Sequence, residues 1–290
     1  MKPPPFEYHS PRDLASALAA LDEAGAGGKV LAGGQSLIPL LNMRLAAPAH
    51  LVDINRLAEL DHVGAEPGGV RVGALARHSR VERSGAHPLL TRALRLVAHP
   101  VIRNRGTVVG SLVHADPAAE LPAVLAVLGG SVRLARHPGG PGREPLVREV
   151  AARDFFTGPL ESAAEPGELA VSAFFPDLPP RSGAAFHEVA RRHGDYALAG
   201  VCAVVTLDEA GAVAVARAAC VGVAPVPLVV DVSEQARAGW PAAAQAVRQA
   251  TEPEEDIHAS ADYRRHLVGV LAERAFEQAA REATEGQRHG

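Results

Sequence analysis

Cysteine is scarce in this sequence of 290 residues, which contains only Cys202 and Cys220. Both lie in apolar segments typical of strands that pair as a hairpin, where thiols more often serve as packing groups than as a redox pair. Two cysteines exclude a disulfide framework, and they are too few to ligate an iron–sulfur cluster.

Long apolar runs and a basic charge balance are absent as well. No apolar run approaches the ~20 residues of a membrane-spanning helix, and residues 1–14 lack the apolar core of a secretory signal. We therefore expect a cytoplasmic protein without a membrane span. Lys2 and Lys29 are the only lysines, and the net charge is −4. Nucleic acid is not an expected partner, because a phosphate backbone requires a basic surface.

The first part of the chain alternates helices with short strands. Ser10-Pro11 precedes a leucine-spaced segment that ends at Gly25, which predicts a capped amphipathic helix. Residues 29–32 and 50–54 are typical of buried strands, and Ser36 is placed to cap the helix between them. The sequence thus predicts an α-β-α-β unit over residues 10–55.

The remainder divides into two further regions. Strands are predicted at 70–74, 131–137 and 168–175, and helices at 87–99 and 117–128. Prolines and a glycine within 174–183 indicate a boundary between two domains. Extended segments at 184–192 and 198–224, with a turn near Gly211, then precede a helical tail whose last helix is amphipathic. We predict domains at 1–55, 56–177 and 178–290.

Two stretches depart from the ordinary pattern of strand, polar turn and helix. AGGQS (32–36) follows a strand, and residues 103–122 place small residues around Thr107 and Ser111 before the acid Asp116. Glycine lets a backbone approach a ligand closely, and unpaired N–H groups at a helix start favour anions. A Gly-Gly turn is also often only a tight connection. Together, however, two such loops are suited to the two ends of a long anionic ligand.

Familiar catalytic motifs are missing. The sequence has no G-x-G-x-x-G after a strand, and Gly28-Lys29-Val30 lacks the hydroxyl residue of a P-loop. His187-Glu188 is followed by Arg191 where a zinc protease requires a second histidine. Neither Ser36 nor Ser111 lies in a G-x-S-x-G nucleophile motif. We therefore predict no catalytic acid, base or nucleophile and no metal site.

Four motifs, spread in order over nearly the whole chain, resemble one family. They are F-x-Y near the N-terminus, LAGGQSLIPLLNMRLAAPAHLVDIN (31–55), VIRNRGTVVGSLVHADPAAELP (101–122) and FHEVARRHGDYALAG (186–200). Together they resemble the FAD-binding medium subunit of the molybdenum hydroxylases, which include xanthine dehydrogenase and aerobic carbon monoxide dehydrogenase. The resemblance implies an α+β fold of the vanillyl-alcohol-oxidase (PCMH) type, with two FAD-binding subdomains and a C-terminal domain of sheet and helices.

The resemblance also assigns FAD-binding residues. It implies that Ala32, Gly33, Gly34, Gln35 and Ser36 hold the pyrophosphate, and that a valine at Gly33 removes flavin by meeting the phosphates while the fold stays intact. It implies that the second FAD loop contains the residues Thr107, Gly110, Ser111 and Asp116, the last accepting hydrogen bonds from cofactor hydroxyls, and that Tyr196 shields the flavin.

One position departs from the family pattern. The family usually has T-x-G-G where this chain has Thr107-Val108-Val109-Gly110. If Val109 required a positive φ, its side chain would cost more than ~1 kcal/mol, whereas an extended conformation would be harmless.

The implied function is electron transfer within a complex. The resemblance predicts an oxidoreductase subunit whose partners are a small 2Fe-2S subunit and a large molybdopterin-binding subunit, arranged as a dimer of heterotrimers. Electrons pass from the clusters through FAD to NAD, oxygen or a quinone, and the sequence selects neither the acceptor nor the substrate. Two alternatives remain, namely a self-sufficient flavin oxidase of the same superfamily and a scaffold subunit that has lost FAD.

Overall fold

The computed structural model describes residues 2–140 and 143–286. In these residues the chain forms sheets of three, five and four strands and one two-stranded hairpin, with helices packed around them. Among the described helices, none is both long and apolar enough to cross a bilayer.

The N-terminal part is a three-stranded parallel sheet with two helices. Its elements are β1 (Glu7–His9), α1 (Leu14–Ala24), β2 (Gly28–Leu31), α2 (Leu37–Met43) and β3 (His50–Asp53). The sheet order is β1-β3-β2, with both pairs parallel. The predicted α-β-α-β alternation is confirmed, although β1 was not foreseen. The cap of α1 is Asp13, whose Oδ1 accepts from the Ser16 N–H at 2.7 Å, and not Ser10.

The middle part is built on a five-stranded antiparallel sheet of order β4-β5-β10-β6-β7. Its strands are β4 (Val63–Glu66), β5 (Gly69–Gly73), β6 (Ser131–Arg136), β7 (Leu146–Ala151) and β10 (Glu168–Pro176). A small hairpin, β8 (Phe156–Gly158) with β9 (Glu161–Ser162), lies beside it. The three strands predicted in this region are confirmed.

The middle part has six described helices, of which the last three contact this sheet. They are α3 (His78–Ser84), α4 (Pro88–Leu94), α5 (Pro100–Arg103), α6 (Val108–His114), α7 (Glu120–Leu128) and α8 (Ala152–Phe155). The continuous helix predicted at 87–99 is wrong. It ends at Leu94 because Ala98 adopts a left-handed conformation, with φ of 44°, and Pro100 starts a new helical turn.

The C-terminal part is a four-stranded antiparallel sheet covered by helices. Its elements are β11 (Ser182–Ala190), β12 (Ala197–Leu207), β13 (Val213–Val221), β14 (Leu228–Asp231), α9 (Ser233–Ala236), α10 (Trp240–Gln249) and α11 (Ala261–Gly286). The predicted hairpin around Gly211 is confirmed as β12 and β13. Helix α11 is amphipathic, as predicted: Leu267, Leu271 and Ala275 are buried and Tyr263 is exposed. Residues 287–290 of the predicted third domain lie outside the described residues.

Strands β12 and β13 contribute to two separate apolar cores. Cys202 and Val204 pack into the core shared with the middle part, while Cys220 packs into the core beneath α11. The two thiols are free and buried, and in the sheet register Cys202 lies opposite Ala219. Because they belong to different cores, the cysteines are packing groups, as predicted.

Candidate functional site

A cleft of about 510 Å³ lies where the three parts of the chain meet. Its volume is within the range of small-molecule sites. All ten residues singled out from the sequence line it, namely Ala32, Gly33, Gly34, Gln35, Ser36, Thr107, Gly110, Ser111, Asp116 and Tyr196. The two stretches that stood out as unusual are therefore neighbours in space, although more than 60 positions separate Ser36 from Thr107 in the sequence.

The turn at residues 32–36 joins β2 to α2. Gly34 has φ of 73°, a left-handed conformation that glycine adopts without strain. The Gln35 side chain donates from Nε2 to the Gly33 carbonyl at 3.2 Å. Ser36 precedes α2, but the predicted cap is wrong, because its side chain makes no capping hydrogen bond.

The backbone donors of this turn are unusual in having no protein acceptor. Within residues 2–140 and 143–286, the N–H groups of positions 33–36 donate to no other group. Four unpaired N–H groups in succession at the edge of a cleft are suited to a negatively charged ligand.

Gly33 is required by the packing of the protein itself, in addition to the contact with phosphates that the sequence predicts. A Cβ at Gly33 would lie 2.4 Å from the Arg105 carbonyl oxygen and 2.9 Å from the Gly106 Cα. The turn thus touches the backbone of the second stretch directly. A valine at Gly33 would push the two stretches apart, which corrects the expectation that this substitution leaves the protein's own packing undisturbed.

The second stretch is not a loop over its central part, as the sequence suggested, but contains α6. Thr107 is the N-cap of this helix, and its Oγ1 accepts from the Gly110 N–H at 3.1 Å. A Cβ at Gly110 would lie 2.6 Å from that oxygen, which explains the glycine. Val109 is buried in the first turn of α6 and has no positive φ, so the valine introduces no backbone strain.

Ser111 forms a hydrogen bond with a histidine that sequence reasoning missed. Its Oγ lies 3.1 Å from Nε2 of His78, at the start of α3. Burial lowers the pKa of His78 to about 4, and the charges of Arg103 and Arg77 act in the same direction. His78 is therefore neutral at pH 7. The sequence did not indicate the contact because His78 and Ser111 lie far apart along the chain.

The acid Asp116 lies between α6 and α7. Its Oδ1 accepts from the Ala118 N–H at 2.9 Å. The backbone beside it contacts the C-terminal part, because the Gly222 N–H donates to the Pro117 carbonyl at 2.8 Å. Asp116 thus lines the cleft at the junction of the middle and C-terminal parts.

Glu120 is a second acid in the cleft wall, and sequence reasoning missed it as well. It begins α7 and is buried. Burial raises the pKa of Glu120 to about 8, and the carboxylates of Glu188 and Asp116 raise it further. Burial also raises the pKa of Glu188, on β11, to about 7, and its Oε2 has no partner among the described residues. A protonated acid therefore lines the cleft at neutral pH.

A polar clamp of Asp53, Asn55 and Arg77 fixes the two stretches relative to each other. Asn55 Nδ2 donates to the Ala32 carbonyl at 2.8 Å and to Asp53 Oδ1 at 2.6 Å. Arg77 Nη2 donates to Asn55 Oδ1 at 2.6 Å, and its Nη1 donates to the Arg105 carbonyl. The clamp therefore bridges the start of the turn and the segment before Thr107.

Tyr196 lies at the rim of the cleft in the turn between β11 and β12. Its side chain is 63% exposed. The preceding Gly194 has φ of 84° and packs closely against the His99 ring, which forms an edge contact with His193. The Tyr196 ring is thus held at the opening and not within a core.

Comparison with known proteins assigns this architecture to a family. The family model "FAD binding domain in molybdopterin dehydrogenase" matches residues 4–178, and "CO dehydrogenase flavoprotein C-terminal domain" matches residues 184–279. The chain belongs to the FAD-binding medium subunits of the molybdenum hydroxylases. The predicted family, oxidoreductase class, FAD cofactor and α+β fold with a C-terminal sheet-and-helix domain are confirmed.

Individual relatives of this medium subunit align over almost its full length. The alpha subunit of the 6-hydroxypseudooxynicotine dehydrogenase complex of Paenarthrobacter nicotinovorans is 38% identical, covering 98% of this chain and 97% of that protein. A carbon monoxide dehydrogenase structure from Hydrogenophaga pseudoflava superposes with a TM-score of 0.88 at 35% identity, covering 96% of this chain and 98% of that one. The structure of quinoline 2-oxidoreductase from Pseudomonas putida 86 superposes with a TM-score of 0.87 at 34% identity, covering 98% of this chain and 99% of that one.

The residues of the cleft fit FAD. Its pyrophosphate is anionic, which suits the four free N–H groups of the turn, and Lys29 also lines the cleft. Its sugar and ribityl hydroxyls require acceptors and donors such as Asp116 and Ser111. Its ring system requires apolar walls, and the cleft provides several apolar side chains, among them Val30, Leu40, Ile54, Val97, Ile102 and Leu169.

We predict that Asn55→Ala weakens FAD binding more than about tenfold, because it removes all three hydrogen bonds of the Asn55 side chain in the clamp, each worth about 1 kcal/mol. The measurement is a fluorescence titration of the flavin-free chain with FAD. Asn42→Ala, on the exposed face of α2, is the matched control and should bind as the wild type does. Unchanged affinity of a folded Asn55→Ala chain would show that the clamp does not position the turn.

A second prediction concerns pH. Between about 4.5 and 8 the folded chain keeps a proton on Glu120 that the unfolded chain has lost, so this residue lowers stability as pH rises through that window. Glu120→Gln, which does not titrate, should gain melting temperature relative to the wild type from pH 5 to pH 8. Glu23→Gln, an exposed control, should show no such gain. A constant difference between Glu120→Gln and wild type at all pH values contradicts the assignment.

Proposed function

We propose that this chain is the FAD-carrying subunit of a molybdenum-containing hydroxylase or dehydrogenase. It receives electrons from iron–sulfur clusters of a partner subunit and passes them through FAD to a final acceptor. The observation that supports this proposal is the convergence of four free N–H groups at positions 33–36 with Thr107, Ser111 and Asp116 on one cleft. Membership of the family indicates that the ligand of this cleft is FAD.

In this proposal the turn binds the pyrophosphate. The N–H groups of residues 33–36 donate to phosphate oxygens, and the side chain of Ser36 adds a further donor. Lys29 contributes a positive charge at the same wall of the cleft. Because the donors are fixed by β2, α2 and the polar clamp, little conformational freedom is lost when the anion binds.

The second stretch and the rim bind the rest of the cofactor. Thr107, Gly110 and Ser111 present the short side chains and backbone of α6, and Asp116 accepts hydrogen bonds from hydroxyl groups. Neutral His78 fixes the Ser111 hydroxyl. Tyr196 covers the ring at the opening and excludes water from one side of it.

No side chain of this subunit is required to act as an acid, base or nucleophile. FAD, when bound, supplies a group that accepts electrons singly and releases them in pairs, while the protein positions it and adjusts its electronic properties. The two cysteines of the chain are buried in separate cores and cannot ligate a cluster. The chain therefore depends on partner subunits for electrons.

The proposed partners follow the complexes in which relatives occur. Relatives are named as a complex subunit alpha and as carbon monoxide dehydrogenase medium chains. We infer a large molybdopterin-binding subunit and a small 2Fe-2S subunit, assembled as a dimer of heterotrimers in the cytoplasm, with NAD, oxygen or a quinone as acceptor. Substrate choice belongs to the large subunit. The division of this chain at residues 55 and 177 stays a prediction.

Reconstitution distinguishes this function from its two alternatives. We predict that the chain, co-produced with both partners, is yellow and reduces an artificial acceptor only when the partners supply electrons. The isolated chain with FAD is the control and should show no turnover. Oxidation of a small alcohol by the isolated chain would favour a self-sufficient oxidase, and a colourless chain in the intact complex would favour a scaffold.

The anion site has its own test. Gln35→Glu changes the charge of the turn while keeping the side chain's shape, so repulsion of the pyrophosphate should weaken FAD binding more than about tenfold. Gln35→Leu, which removes the side-chain amide without adding charge, is the matched control and should lose much less. Thermal melting of both flavin-free variants checks the fold. Equal FAD affinity of Gln35→Glu and Gln35→Leu would refute the role of the turn.

A further inference from the structure

A cluster of metal-ligand side chains lies on strands β1 and β3, outside the set of residues that line the cleft. It consists of Glu7, His9 and His50. Glu7 is paired with His50 in the parallel register, and His9 follows two positions after Glu7. Because side chains alternate between the faces of a strand, Glu7 and His9 project to the same side of the sheet.

The distances within the cluster are those of ligands around one ion. His9 Nε2 lies 3.1 Å from His50 Nδ1, and His50 Nδ1 lies 3.4 Å from Glu7 Oε2. One ligand atom from each residue lies within 4.8 Å of the other two. Zinc bonds of about 2.0–2.2 Å in tetrahedral geometry place neighbouring ligand atoms about 3.4 Å apart. The observed spacings therefore need only small side-chain adjustments.

The chemistry of the three ligands is selective. Two imidazole nitrogens and one carboxylate oxygen are a ligand set that suits zinc, whereas magnesium and calcium prefer sites built from oxygen alone. The Glu7 side chain is 75% exposed and that of His50 is 29% exposed, so an ion can reach the cluster from solvent. Three protein ligands leave a fourth position for water.

The same three side chains also permit an arrangement without a metal. His9 and His50 can share one hydrogen bond, and a protonated His50 can pair with Glu7. In that arrangement one of the two facing nitrogens must be protonated, whereas a zinc ion requires both lone pairs. The two arrangements are mutually exclusive, which makes them experimentally distinguishable.

We propose that Glu7, His9 and His50 form a Zn²⁺ site that fastens the N-terminal strand β1 to β3. Strand β1 has only three register pairs with β3, from Glu7 to His9, so a cross-link there strengthens a short contact. Tyr8, between the two ligands in sequence, donates from its hydroxyl to Asp53 Oδ2 at 2.5 Å. The metal therefore stabilises strand β1, whose middle residue, Tyr8, supports the polar clamp through Asp53.

The test is calorimetric titration of the untagged, chelator-treated chain with ZnCl₂. We expect one ion bound per chain at micromolar concentration and a higher melting temperature in its presence. His9→Ala and His50→Ala should each weaken binding more than about tenfold and abolish the gain in melting temperature. His62→Ala, at an exposed histidine outside the cluster, is the matched control and should bind zinc as the wild type does.

Two outcomes overturn the proposal. Wild-type chain that takes up no stoichiometric zinc shows that the histidines form only a hydrogen bond. Zinc uptake that is unchanged in both His9→Ala and His50→Ala shows that the ion binds elsewhere. Melting of the variants without zinc checks that each is folded, and FAD binding by the same variants separates this proposal from the assignment of the cleft.

Discussion

Direct contact between two backbones is the constraint on which the cleft depends. Gly33 lies against the carbonyl of Arg105 and the Cα of Gly106 with no room for a side chain between them. The polar clamp holds the same two segments from one side, through Asn55 and Arg77. As a result, the free N–H groups of one stretch and the helix start at Thr107 line a single cavity, and neither would form an enclosed site alone.

Two buried ionisable side chains of the cleft wall carry no charge at neutral pH. Burial keeps His78 neutral and Glu120 protonated at pH 7. An anion entering at the turn therefore meets N–H donors and Lys29, and the buried Glu120 adds no negative charge to the wall of the cleft. In a site partly shielded from water, such neutralisation matters more than on an open surface.

The sequence was sufficient to single out ten residues that line the cleft, because glycine-rich motifs and family resemblance mark them locally, while their contacts with FAD stay a prediction. It was insufficient for His78, Asn55 and Glu120, whose roles depend on hydrogen bonds or burial set by segments far away in the chain. It also failed at α6, since its seven residues, with three valines and one glycine, give little helical periodicity. The helix predicted at 87–99 failed because the chain leaves the helix after Leu94 and turns at the left-handed Ala98, and the one local signal of this break was Pro100 just beyond the predicted helix.

The two-sided hairpin of β12 and β13 has a consequence for how the molecule loses its structure. One face of the hairpin completes the core of the middle part and the other completes the core beneath α11. Cleaving the chain between residues 178 and 184, where the first family match ends and the second begins, would expose an apolar surface on each fragment. Although separate family models match the flavin-binding and C-terminal regions, the core that they share leads us to expect that they unfold together.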